Sequence, residues 1–185
     1  MKKLLSVLLV LALLLPAAAM AEQEVDLGFG VLRLDDNAYV TLGDRESGIL
    51  VQVIPDPYAE VLFYDNFNVM WSDAQISDID MEPEAFAKYV MSVAKAGMEA
   101  QGVTASNETV LSAEIDKEND MLTLEYTMDV DYSGLGIDMQ LTLYFGQLAF
   151  SFEGDGMYAI TFTASSEDGI LALLDYVDTA LVFKE

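Results

Sequence analysis

The chain has 185 residues, with 32 acidic against eight basic side chains and neither cysteine nor histidine. The absence of cysteine and histidine excludes disulfides, thiolate chemistry, Ser–His and Cys–His nucleophile pairs, and conventional zinc, copper or haem ligation. The acidic excess argues against nucleic acid and anionic membrane surfaces as ligands and favours a cationic partner or divalent ions, although a solvated acidic surface explains the same charge without any ligand.

The first 21 residues have the three parts of a secretory signal peptide. Lys2 and Lys3 are basic, residues 4–15 are apolar except for Ser6, and Ala19-Met20-Ala21 places small residues where signal peptidase reads them. We expect cleavage after Ala21 and a secreted or periplasmic protein, because an apolar run of this length is too short for a comfortable membrane anchor. Lipid anchoring is not expected, since it requires a cysteine at the cleavage site.

The mature chain, residues 22–185, is expected to form a single domain. It keeps six basic and all 32 acidic residues, which gives a net charge of −26. No segment in it is long and apolar enough to predict membrane insertion. With no disulfide available, its stability must come from an ordinary hydrophobic core.

The first part of the mature chain predicts short strands. Runs of β-branched and aromatic residues cover 30–34, 39–42, 49–54, 60–64 and 67–71. Turn-forming residues separate them, among them the segment 43–48 and Pro55-Asp56-Pro57. Because proline supplies no donor to a strand ladder, these prolines should end the strand before them.

A long helix is predicted next, after Pro83. Its apolar stripe has the spacing of one helical face and comprises Phe86, Tyr89, Val90, Val93, Ala94 and Met98. Pro83 suits the first turn, Asp80 is a candidate cap, and Gly102 is placed to end the helix. We expect this stripe to cover the sheet.

The remainder predicts an antiparallel meander closed by a second helix. Strands are expected at 109–115, 121–131, 137–145, 150–153 and 158–163, and the strictest alternation buries Leu122, Leu124, Tyr126, Met128 and Val130. Ser165 with Asp168 resembles a capping box before a stripe of Ile170, Leu173, Leu174, Val177 and Leu181, and residues 182–184 predict a short last strand. This order predicts an α+β fold, an antiparallel sheet flanked by helices.

Four stretches resemble the PsbP-like fold, which Ran-binding nuclear-import regulators and many small exported bacterial proteins share. Asn66-Phe67-Asn68-Val69-Met70 resembles the strand before its first long helix, and residues 81–89 resemble the start of that helix. Residues 154–164 are similar to the last hairpin strand, and 170–183 to the closing helix and tail. The tail departs from the pattern at Thr179-Ala180-Leu181, where a serine–phenylalanine pair is commoner. The resemblance implies an α/β/α sandwich and a non-enzymatic accessory or binding role.

No catalytic, cofactor-binding or metal-binding residue is predicted. Gly28-Phe29-Gly30 lacks the third glycine and the following helix of a dinucleotide site. A carboxylate hydrolase would need a pair such as Glu125 and Asp138, which are candidates to face each other from adjacent strands. The densest oxygen clusters lack calcium-loop spacing; they are Asp73, Asp78 and Asp80, and Asp116, Glu118, Asn119 and Asp120.

The sequence therefore favours a secreted, non-enzymatic accessory or binding domain whose partner is a protein or a cell-envelope component. One alternative is a carrier of a small apolar ligand in a helix–sheet groove. That groove would be lined by adaptable side chains, the candidates being Met70, Trp71, Met91, Met98, Met121, Met128 and Met139. The other alternative is the carboxylate hydrolase.

Overall fold

The computed structural model describes residues 23–184, so the predicted signal peptide lies outside the described residues. Two α-helices, α1 (Pro83–Glu99) and α2 (Glu167–Ala180), accompany ten strands. The strands are β1 (Gln23–Asp26), β2 (Gly30–Leu34), β3 (Tyr39–Asp44), β4 (Ile49–Ile54), β5 (Asn66–Ser72), β6 (Thr104–Asp116), β7 (Met121–Asp131), β8 (Gln140–Phe152), β9 (Gly156–Ala164) and β10 (Leu181–Phe183). Short 3-10 helices lie at Ile76–Asp78 and Ser133–Leu135.

Seven strands form one antiparallel sheet in the order β3-β4-β5-β9-β8-β7-β6. The strands β7 and β8 pair without interruption from Met121 opposite Phe150 to Asp131 opposite Gln140. The predicted face of β7 is buried, from Leu122 to Val130, because strict alternation leaves only one face apolar. The α+β prediction is confirmed.

A second, three-stranded sheet has the order β1-β2-β10 and shares a core with α2. Phe29 joins the two sheets, since its ring lies 4.5 Å from that of Tyr158 and 4.9 Å from that of Phe150. The core on this side includes Leu32, Val53, Phe67, Val69, Ile160, Phe162, Leu173 and Val177. The strand β1 was not predicted.

The helix α1 covers the opposite face of the large sheet, over β6 and β7. Its most buried residues are Ala87 and Met91, whereas Tyr89 and Val93 are each 54% exposed. The prediction that Tyr89 and Val93 lie on the sheet is therefore wrong: α1 is rotated so that a neighbouring stripe faces β7. With helices on both faces, the large sheet forms an α/β/α sandwich, as expected.

Several predicted boundaries also differ from the structure. Residues 60–64 form no strand, and β8 begins at Gln140 and runs unbroken to Phe152. Glu82, not Asp80, precedes the first turn of α1, and Gly102 follows its end with a φ of +90°. Ser166, not Ser165, caps α2 by accepting a hydrogen bond from the Gly169 amide at 3.1 Å. Among residues 23–184, no helix has the length and apolar character needed to cross a bilayer.

Candidate functional site

Carboxylates dominate the surface of residues 23–184, because the few basic side chains there already form ion pairs or hydrogen bonds within the protein. Five of them form ion pairs: Arg33 with Glu24, Arg45 with Asp155, Lys88 with Glu84, Lys95 with Glu108, and Lys184 with Asp26. The sixth, Lys117, donates to the carbonyl oxygen of Ser77 at 3.4 Å. Hydrogen bonds from the lysines lower the pKa values of Asp26, Glu84 and Glu108. Most of the negative charge therefore has no internal counter-charge in residues 23–184.

An open groove of about 300 Å³ lies between α2 and residues 55–65, the connection from β4 to β5; we call it the 55–65 groove. Its lining is mainly apolar and consists of Pro55, Asp56, Ala59, Val61, Phe63, Tyr64, Asp65, Ser165, Gly169, Ala172, Leu173 and Tyr176. A volume of this size is at the lower end of the range for ligand pockets.

The connection itself exposes large apolar side chains. Tyr58 is 76% exposed and Leu62 is 89% exposed. The turn before them is fixed locally, because the side chain of Asp56 accepts a hydrogen bond from the Tyr58 amide at 3.2 Å. Exposed apolar side chains clustered beside a groove are typical of an interaction surface.

Asp65 fixes the start of α2 against this connection. Its carboxylate accepts hydrogen bonds from the amide of Ser165 at 2.9 Å and from the hydroxyl of that residue at 3.3 Å. Gly169 makes room for the contact, because a Cβ there would lie 2.4 Å from Asp65 Oδ2 and 2.9 Å from the Ala164 Cβ. Both walls of the 55–65 groove are thus joined at one end.

A second concavity, of about 660 Å³, adjoins the 55–65 groove and shares Pro55 and Asp56 with it; we call it the acidic hollow. It is lined by Arg33, Leu34, Asp35, Asp36, Asn37, Pro55 and Asp56. Its one cation, Arg33, is paired with Glu24 at 3.2 Å, so three carboxylates set the charge of the hollow.

Tyr176 connects the two concavities. It lines the 55–65 groove, and its hydroxyl accepts a hydrogen bond from the backbone amide of Asp35 at 3.2 Å. Burial raises the pKa of Tyr176 against the smaller lowering by the hydrogen bond from the Asp35 amide, so the side chain is a neutral phenol at physiological pH. Apolar surface and concentrated negative charge therefore lie side by side and are held together.

A third hollow, of about 430 Å³, lies at one end of β6, β7 and β8. Its carboxylates are occupied by neighbouring side chains: Asp129 accepts from Thr142 at 2.6 Å and from Asn107 at 2.7 Å, and Asp131 accepts from Gln140 at 2.9 Å. Hydrogen bonds lower the pKa values of both aspartates. These carboxylates serve the local structure.

A polar cluster around Arg45, which we call the Arg45 clamp, joins the β3–β4 turn to the β8–β9 turn. Arg45 donates to Asp155 at 2.7 Å and to the Tyr158 hydroxyl at 2.6 Å, and Tyr158 in turn donates to Asp155 at 2.6 Å. Burial, then the bond to Asp155, raises the pKa of Tyr158 to about 12. The guanidinium also lies 4.6 Å from the centre of the Trp71 ring. These groups satisfy one another's hydrogen-bonding capacity and hold the two turns together.

The carboxylates considered for a hydrolase do not lie face to face. Glu125 on β7 pairs with Gly146, whereas Asp138 precedes β8 in the connection after β7. Both side chains are exposed. The strand register separates them along the hairpin, so the structure does not bring together the candidate pair of Glu125 and Asp138.

The two oxygen clusters considered for calcium lie in exposed turns. In the β6–β7 turn, Asp116 accepts hydrogen bonds from the Asn119 side chain and from the amides of Asn119 and Glu118, and these bonds lower its pKa. Asp120 accepts from Ser151 at 3.2 Å. The other cluster spans the 3-10 helix before α1. Within residues 23–184, no three acidic side chains gather closely enough to hold a metal ion.

The methionines and Trp71 do not line one common groove. Met91 and Met128 are buried in the core, Met98 and Met139 pack at its edge, and Met70 and Met121 are exposed. The 55–65 groove contains none of them. It was missed because residues 60–64 were predicted to be a strand. The sequence signal that marks the connection is Pro55-Asp56-Pro57, followed by an apolar run that lacks the strict alternation of a strand.

Comparison with known proteins identifies the fold. No known protein family and no curated protein matches the sequence. Among solved structures, cyanobacterial PsbP (CyanoP) from Synechocystis sp. PCC 6803 matches with a TM-score of 0.56 and 12% identity over 92% of this chain and 97% of that one. The Ran-binding protein Mog1p of Saccharomyces cerevisiae matches with a TM-score of 0.52 and 13% identity over 89% and 96%. The chain has the PsbP-like fold.

Proposed function

We propose that the protein is a secreted or periplasmic, non-enzymatic binding domain for a positively charged protein or cell-envelope component. The observation that carries the proposal is the charge distribution. Carboxylates greatly outnumber basic residues, and five of the six basic side chains in the described chain are ion-paired. A field of one sign attracts partners of the opposite sign and speeds their association.

The 55–65 groove and the acidic hollow are the proposed seat of binding. They combine exposed apolar surface with four carboxylates, those of Asp35, Asp36, Asp56 and Asp65. Hydrogen bonds attach the hollow to Tyr176 on α2 and the groove to Ser165, just before α2. The fold is compatible with this use, since one protein that shares it, Mog1p, is described as Ran-binding. At 13% identity that likeness concerns the fold alone, so the proposal rests on the charge and the geometry.

Export is part of the proposal and has its own test. If residues 1–21 are a signal peptide, protein recovered from the periplasm or medium of an expressing bacterium should begin at Glu22. Intact-mass spectrometry measures this directly. Protein that keeps residues 1–15 after export, or that stays in the cytoplasm, would contradict the assignment.

The partner's charge is tested with two short blocked peptides, one of alternating lysine and serine and one of alternating glutamate and serine. The mature chain should bind the lysine peptide, should not bind the glutamate peptide, and should lose affinity steadily as salt shortens the Debye length from about 30 Å at 0.01 M to about 10 Å at 0.1 M. Isothermal titration calorimetry provides the affinities. Equal binding of both peptides, or of neither at low salt, would contradict the proposal.

A further inference from the structure

We infer that the 55–65 groove and the acidic hollow together bind one short segment of the partner, in which a bulky apolar side chain stands beside a lysine or arginine. The inference rests on the proposed function and specifies the partner's chemistry. The apolar side chain occupies the 55–65 groove, and the cation lies among the carboxylates of the hollow. Asp56 lines both, so the two partner side chains must be neighbours.

The apolar half of the inference rests on burial. In a chain this acidic, Val61 lines the groove together with Leu173 and is itself 52% exposed. Tyr58 and Leu62 expose large apolar side chains on the same connection. Covering such surface contributes about 25 cal/mol per Å² removed from water. A groove of about 300 Å³ accommodates side chains rather than a folded domain, which indicates a short segment.

The cationic half rests on charge complementarity. Asp35, Asp36 and Asp56 line the hollow, and the charge of Arg33, which lines it as well, is paired with that of Glu24. A lysine or arginine entering the hollow would meet several carboxylates, whereas an acidic segment would be repelled. Apolar contact and charge attraction then act on the same segment. Salt should weaken only the charge attraction, so part of the affinity should remain at high salt. Diffuse attraction to an acidic surface has no such salt-resistant part.

The test compares short blocked peptides of alternating lysine and leucine with the lysine–serine peptide of equal charge. The lysine–leucine peptide should bind the mature chain about tenfold more tightly or better, and this margin should persist at high salt. Ala172→Trp fills the 55–65 groove from an exposed helical position and should abolish the margin. Ala96→Trp, an exposed position on α1, is the matched control and should leave it unchanged.

A second pair of variants tests the hollow. The double change Asp35→Asn and Asp36→Asn should weaken lysine–leucine binding severalfold, whereas Asp73→Asn with Asp80→Asn removes equal charge from exposed sites elsewhere and should have a smaller effect. If Ala172→Trp does not fold, Val61→Ser tests the groove instead. Val61 is exposed, so its replacement should not disturb folding, and it should reduce the margin between the two lysine peptides.

The outcomes separate the inference from the proposed function. Equal affinities for the two lysine peptides, or a margin that survives both Ala172→Trp and Val61→Ser, overturns the inference and leaves a general cationic partner standing. Equal loss from the two aspartate pairs overturns the cationic half of the inference. Failure of both lysine peptides to bind overturns the proposed function as well.

Discussion

Replacement of Phe162 by alanine should lower the free energy of unfolding by about 3–5 kcal/mol. Phe162 on β9 is 1% exposed and lies under α2, with its ring 6.3 Å from that of Phe67 on the neighbouring strand. The loss combines the transfer free energy of the ring with the cost of a cavity that a rigid sheet cannot close. Urea denaturation of the mature chain and the variant measures the difference.

Phe86→Ala is the matched control for this prediction. Phe86 lies on α1 and is half-buried at the edge of its core. Its truncation should therefore cost less, about 1–2 kcal/mol, in proportion to the smaller area removed from water. Equal losses for the two variants would mean that α2 and β9 do not enclose the principal core.

Gly156→Ala should destabilise the protein by about 2–5 kcal/mol, from backbone strain and overpacking together. Gly156 starts β9 with a φ of +105°, which residues with a Cβ rarely adopt. An added Cβ would lie 2.2 Å from the carbonyl oxygen of Ser72 and 3.0 Å from Trp71 Nε1. Relief of the clash requires β9 to move away from β5, which would also disturb the Arg45 clamp.

Gly154→Ala separates the two contributions to this loss. Gly154 also has a positive φ, +79°, but a Cβ there has no neighbour within 4 Å. Its replacement should cost only the conformational term, about 1–2 kcal/mol. Thermal unfolding of the two variants under identical conditions compares them, and equal shifts in Tm would show that the contact with Ser72 is not close.

Local patterns predict most of the large sheet, because antiparallel neighbours joined by short turns place one face inside and one outside. The strand β7 is the clearest case, since its alternation from Leu122 to Val130 matches the buried face residue by residue. The strand β1 could not be predicted in this way. Its residues alternate between exposed and half-buried, and its position depends on tertiary contacts such as the pairing with β2.

The rotation of α1 shows the limit of hydrophobic periodicity. The apolar stripe from Phe86 to Met98 is wider than the contact face, and the pattern does not tell which part of it is buried. Ala87 is fully buried in the core shared with β7, whereas Tyr89 and Val93 are exposed. A hydrophobicity scale gives large apolar residues higher values than alanine, so a prediction based on it buries Tyr89 and Val93 instead.

Sequence patterns could not predict the candidate site, for a different reason. Its two walls, residues 55–65 and α2, are separated by about a hundred positions and meet through Asp65 and Ser165. The acidic character of the surface was predictable from composition. Its arrangement beside an apolar groove depends on tertiary contacts that no local signal encodes.

The most direct test of the proposed binding site is to map the lysine–leucine peptide onto the isotopically labelled mature chain by NMR. Amide shifts should concentrate around the 55–65 groove and the acidic hollow, at Val61, Phe63 and Ala172 and at Asp35 and Asp36, and should saturate together with a single affinity. Shifts spread evenly over the acidic surface, or centred on the β6–β7 turn or the exposed side of α1, would contradict the assignment.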